Sequence, residues 1–63
     1  MEKSHKLLSI KETAYELGIS TPMLRVLIHR RDIQHVRIGR RVLVRPADVA
    51  AFVEARVMPV KGE

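Results

Sequence analysis

The stretch over residues 14–30, AYELGISTPMLRVLIHR, decides how this chain folds. Ala14 and Leu17 close one apolar face, and Gly18 follows at a point where a left-handed backbone is cheap only for glycine, so a helix ends there. Ser20, Thr21 and Pro22 then carry helix-start chemistry. Leu24, Leu27 and Ile28 fall at i, i+3, i+4, the inner stripe of a second helix. Two helices joined by a short glycine turn make a helix-turn-helix. A residue before proline avoids the helical region and proline suits the first helical position, which predicts Thr21 as the cap, with Ser20 as the alternative. Thr21, Pro22, Arg25, Val26 and His29 are left on or near the outer face.

Upstream, Ser9 followed three residues later by Glu12 is a capping box, so the first helix starts near Ile10 and turns Ile10, Ala14 and Leu17 inward. Lys11, Glu12 and Glu16 face water. Residues 1–6 are polar without periodicity and are expected to be a disordered tail.

Downstream of Arg30 the period changes to two. Val36, Ile38, Val42 and Val44 alternate with Arg37, Leu43 and Arg45 around Gly39-Arg40-Arg41, a two-stranded hairpin. A two-residue Gly39-Arg40 turn puts Arg41 and Leu43 on the side of Val36 and Ile38. A three-residue connection instead faces Ile38 with Val42 and Val36 with Val44, and it is preferred because it buries four branched residues together. Either way Arg40 sits at the tip. Pro46 and Asp48 open a third helix whose apolar positions are Val49, Phe52, Val53 and Val57, with Phe52, the largest apolar side chain, expected at the centre of the core. Met58-Pro59 should end it, leaving residues 58–63 as a C-terminal tail and residues 7–57 as one domain.

Composition sets the outer limits. The chain has 63 residues, enough for one small core, and no cysteine, which removes disulfides and points to a reducing, cytoplasmic setting. No signal peptide or membrane span is evident. Net charge is +5, and it is concentrated: from Arg25 to Arg45 lie seven arginines and one acid, Asp32. A single-sign block on a third of a small domain suits a polyanion such as nucleic acid, although a solvated basic face is the simpler alternative. Eight of the twelve bases are arginine, whose planar fork grips phosphate or guanine with two bonds. His5, His29 and His35 lack ligand spacing, so no metal or cofactor is expected, and no nucleophile, base and orienting acid suggest catalysis.

The runs LLSIKETAYELGIS, MLRVLIHRRDI and VRIGRRVLVRPADVAAFV resemble the small winged-helix domains of the excisionase family, relatives of MerR-type regulators. The resemblance spans Leu7 to Val57 and rests on Ser9, Glu12, Ala14, Gly18 and Ser20, on Val36-Arg37-Ile38-Gly39-Arg40, and on Pro46, Asp48 and Phe52. It implies an α+β winged helix-turn-helix: three helices, a two-stranded antiparallel wing between the second and third, the second helix in the DNA major groove and the wing on the backbone or minor groove. Where the family usually has glycine after the second helix this chain has Arg31, and where a proline often precedes the wing it has Gln34. A left-handed turn at Arg31 would carry a steric cost.

Roles follow from the side chains. Ser20, Thr21, Pro22, Arg25, Val26 and His29 are the candidate major-groove residues, with Arg25 the foremost because a guanidinium bonds guanine O6 and N7 together. Ser20 and Thr21 can instead simply cap, and His29 and Arg30, one to two turns later, are better placed to reach phosphate. Arg30, Arg37, Arg40 and Arg41 are the candidate backbone contacts, the alternative for the wing arginines being protection of an edge strand. The resemblance implies an excisionase, or recombination directionality factor, that binds repeated sites and bends DNA so that a phage-type integrase excises a prophage or integrated element. A small MerR-like transcriptional regulator and an interaction module for an acidic protein partner are the alternatives. Full MerR-type regulators carry a long dimerisation helix after the DNA-binding part; with none expected here, several copies should bind double-stranded DNA head to tail. No membrane partner is expected, and the setting is the cytoplasm of a bacterial host.

Overall fold

Ser9 starts the first helix by satisfying two backbone groups at once. Its Oγ accepts the Glu12 N–H at 3.0 Å, and Glu12 Oε1 accepts the Ser9 N–H at 2.8 Å. The computed structural model describes residues 6–60, so the expected tails, 1–6 and 58–63, lie outside the described residues except for Lys6 and residues 58–60. Within them the order is β1 (Leu8–Ser9), α1 (Ile10–Leu17), α2 (Thr21–His29), β2 (Val36–Ile38), β3 (Arg41–Val44) and α3 (Pro46–Glu54). These are three helices with an antiparallel hairpin between the second and third, the architecture of a small winged helix-turn-helix.

Both helices of the motif end in the same hydrogen-bonded turn. After α1 the Gly18 N–H donates to Tyr15 O at 3.1 Å and the Ile19 N–H to Ala14 O at 3.0 Å. After α2 the Arg31 N–H donates to Ile28 O at 3.0 Å and the Asp32 N–H to Leu27 O at 2.8 Å. Each is a Schellman turn, which needs a left-handed residue. Gly18 supplies it at φ 70, whereas α2 uses Arg31 at φ 64, the steric cost that its side chain implied.

The start of α2 differs from expectation. Ser20, not Thr21, is the cap: its Oγ accepts the Met23 N–H at 3.2 Å and its carbonyl accepts the Leu24 N–H at 3.0 Å. Pro22 therefore lies one residue further in. That is tolerated because every N–H of the first turn lacks an intrahelical partner, so proline's missing donor costs nothing there.

The wing register is also corrected. Val36 faces Leu43, Arg37 faces Val42 and Ile38 faces Arg41, so the connection is the two-residue Gly39-Arg40 turn. Gly39 has φ 59 at the first turn position and Arg40 does not have a positive φ, the signature of a type II′ turn. Such a turn matches the twist of the flanking strands. The three-residue alternative assumed that only one face of the hairpin is covered. In fact Leu8–Ser9 forms a third strand and the sheet order is β1-β3-β2, so β3 is central. Both Val44 and Leu43 on opposite faces of β3 are buried, while Ile38 on edge strand β2 is 54% exposed.

The core is Ala14, Leu24, Ile33 and Val44, with Ile10, Leu17, Ile19, Leu27, Ile28, Val49 and Phe52 packed against it. Thr13 is fully buried beside it, its hydroxyl donating to Ser9 O at 2.8 Å. Phe52 is on the flank and not at the centre: it is half-buried, and the Arg56 guanidinium lies 3.9 Å from its ring centroid. Nor does Val57 extend the helix, which stops at Glu54 and leaves Val57 exposed. A helix carried on through Pro59 would lose the bond to Ala55 and drive the ring against that carbonyl.

Candidate nucleic-acid interface

Burying Leu24 completely turns the opposite side of α2 outward. Arg25, Val26 and His29 are exposed there, as are Ser20 and Pro22, while Thr21 is half-buried. Arg25 and His29 are four residues apart and so lie one above the other on the same face. They line one cleft with Ile28 of the same helix, Ile10 at the start of α1 and Val42 of β3. The outer face of α2 thus adjoins β3 of the wing, with Ile10, Ile28 and Val42 forming an apolar floor beside Arg25 and His29.

At the amino end of α2, Pro22 has no N–H and that of Met23 is taken by Ser20. Little of the helix terminus is left for an anion, which shifts the weight of any contact to side chains. Met23 and Val26 add apolar surface there, with Val26 47% exposed.

Arg37, Arg40 and Arg41 are exposed on the wing. Residues directly opposite in an antiparallel pair share a face, so Arg37 lies on the Val42 side that meets α2, and Arg41 lies with Ile38 on the other. Arg41 is near enough to Glu12 to favour its charged form. The Glu12 carboxyl is held below its ordinary range mainly by the Ser9 backbone hydrogen bond, partly offset by desolvation, with smaller help from Lys6, the Ser9 hydroxyl and Arg41.

Among the described residues, two of the seven clustered arginines are engaged with acids. Arg30 Nε lies 3.5 Å from Asp32 Oδ2 while its side chain remains mostly exposed. Arg45 is bound far more tightly to Asp48, which raises the guanidinium pKa through that hydrogen bond and the carboxylate charge. Arg25, Arg31, Arg37, Arg40 and Arg41 make no ion pair among the described residues. The position of Arg31 could be anticipated only from its place after α2, and the engagement of Arg45 only from an aspartate three residues later.

Among the described residues there is no group of three or more His, Asp or Glu side chains placed to hold a metal ion. Among the described residues, no helix is long and apolar enough to cross a membrane. Residues 7–57 match a known protein family described as a helix-turn-helix domain, and the chain belongs to that family. Neither the curated proteins nor the solved structures contain a match to the sequence. Membership in a helix-turn-helix family implies DNA binding, and such domains are typically non-enzymatic.

Proposed function

We propose that this chain is a sequence-specific DNA-binding protein of the excisionase type, which binds repeated sites cooperatively and bends the duplex so that a phage-type integrase runs excision. The observation that carries the DNA-reading part is the shared cleft: Arg25 and His29 of α2 face the same space as Val42 of the wing. The matched family includes excisionase-like proteins, which supports the finer reading.

In this reading α2 enters the major groove. Arg25 bonds a guanine edge, Val26 meets a thymine methyl, and Ser20, Thr21 and Pro22 lie against the groove at the helix start. His29 and Arg30 approach the groove wall. A wing beside a groove-bound helix meets the adjoining backbone or minor groove, where Arg37, Arg40 and Arg41 neutralise phosphates. Exposed Met23 supplies apolar surface for contact between neighbouring copies.

Selection from a random duplex pool, followed by titration on fragments with one and several copies of the recovered site, tests this. The expected results are a defined site, log affinity that falls linearly with log salt, a steeper isotherm on repeated sites, and circular-permutation mobility that reports a bend. Binding indifferent to salt overturns the DNA reading. A single-step isotherm that ignores neighbouring sites overturns the cooperative one.

A further inference from the structure

Arg45 belongs by sequence to the basic block, yet its guanidinium is occupied. Its Nε donates to Asp48 Oδ2 at 2.6 Å and its Nη2 to Asp48 Oδ1 at 2.8 Å, so both carboxylate oxygens are gripped by one edge of the fork. The same Nη2 also donates to Gln34 Oε1 at 3.4 Å. Asp48 is only 8% exposed, in the first turn of α3, and its carboxylate has no other side-chain partner among the described residues.

The placement of these three residues gives them a mechanical role. Gln34 stands just before β2 and Arg45 directly after β3, so they lie at the foot of the hairpin, opposite the Gly39-Arg40 tip. Asp48 ties that foot to α3. The strands are short, and β2 pairs only with β3 among the described strands. A hairpin alone is marginal in water, so its angle depends on what holds its base. With a rise of about 3.3 Å per residue, the tip stands roughly 13 Å from the foot, and a rotation of about 10° there moves Arg40 by about 2 Å. A shift of that size breaks a hydrogen bond to phosphate.

We propose that Gln34, Arg45 and Asp48 form a clasp that fixes the wing's angle against α2, making Arg45 a positioning residue and not a phosphate ligand. The proposal rests on the DNA-binding reading and deepens it. It makes a prediction of opposite sign to simple electrostatics. Asp48→Asn removes a negative charge from a DNA-binding protein, which by charge alone tightens binding. A loosened clasp instead weakens it.

The test measures DNA affinity for wild type, Asp48→Asn and Arg45→Lys, each also in an Arg40→Ala background, with folding verified by circular dichroism at the assay temperature. Lysine keeps the charge of Arg45 but not its fork. The clasp predicts that both variants bind about tenfold more weakly, and that the loss shrinks to about twofold or less once Arg40 is gone, the coupling of residues that act through one another. Unchanged or tighter binding by Asp48→Asn, or equal losses in both backgrounds, overturns the clasp. If wild type binds no DNA, the functional reading fails by itself. The clasp is then judged by hydrogen exchange, where faster wing amides beside unchanged α2 amides in Asp48→Asn support it and uniform rates refute it.

Discussion

Helix α2 and the wing both carry arginines, but they hold them in different ways. The orientation of α2 is set by the core: Leu24 is fully buried beneath it, Leu27 and Ile28 pack beside it, and both ends are closed by hydrogen bonds. The wing has a buried central strand but an exposed edge and tip, and it projects its arginines on a short two-strand arm. A rigidly seated helix presents side chains in a fixed array, which is what reading a base edge requires. An exposed arm supplies charge, which phosphate binding requires, provided that its base holds it at a fixed angle.

The largest expected contrast is in stability. Leu24→Ala should cost about 2 to 5 kcal/mol, a large share of what a domain of this size possesses, whereas Ile38→Ala on the wing edge should stay within about 0.5 kcal/mol. Urea denaturation of the two variants checks this, and similar losses would remove the distinction between a seated helix and an open arm. The next effect concerns how α2 begins. Ser20→Ala should lower stability by about 1 kcal/mol while Thr21→Ala changes it little, and the reverse order would move the cap back to Thr21.

A third effect sharpens the comparison at the junction of the two regions. Arg31 occupies the left-handed position where α1 has Gly18, and that conformation costs a non-glycine residue roughly 1 kcal/mol. Arg31→Gly should therefore raise the melting midpoint, while Gly18→Ala, which meets no atom within 4 Å but must adopt the same φ, should lower it. The smallest effect is acid sensitivity at the start of α1. Because the Glu12 carboxyl is held below its ordinary range, its contribution is fully present above that range and is lost as pH falls through the lowered folded value. Glu12→Gln should show a shallower loss of stability in that acid window, and unchanged pH dependence would discount the capping box as its source.

Much of this architecture was legible wherever one local rule governed the outcome. Ser9 and Glu12 marked α1, Gly18 its end, and the i, i+3, i+4 spacing of Leu24, Leu27 and Ile28 the buried side of α2. The departures have two causes: some depended on partners distant in sequence, others on local polar bonding that apolar spacing does not register. The wing register turned on β1, two residues too short to show a period, which made β3 central and buried Leu43. Thr13 is polar and therefore left out of any apolar pattern, yet its hydroxyl is satisfied by Ser9 within the same turn. Ile33 lies in a loop with no periodicity and enters the core only because the turn at Arg31 redirects the chain.

For the candidate interface, the outward placement of Arg25, Val26 and His29 followed from helical spacing alone, and the structure finds all of them exposed. What spacing could not show was that Arg25 and His29 share a cleft with Val42, since that depends on how α1 and the sheet bring β3 across from α2. Counting charge, likewise, placed Arg45 with the wing arginines, whereas its geometry assigns it to Asp48.

The division of labour between helix and wing is tested most directly by measuring Arg25→Ala and Arg40→Ala on the selected site and on random duplex, across a range of salt. Arg25→Ala should cost about 1 to 3 kcal/mol on the selected site and little on random DNA, so that preference flattens, whereas Arg40→Ala should weaken both DNAs alike and lower the salt slope by about one. Equal losses on both DNAs for both variants would contradict it.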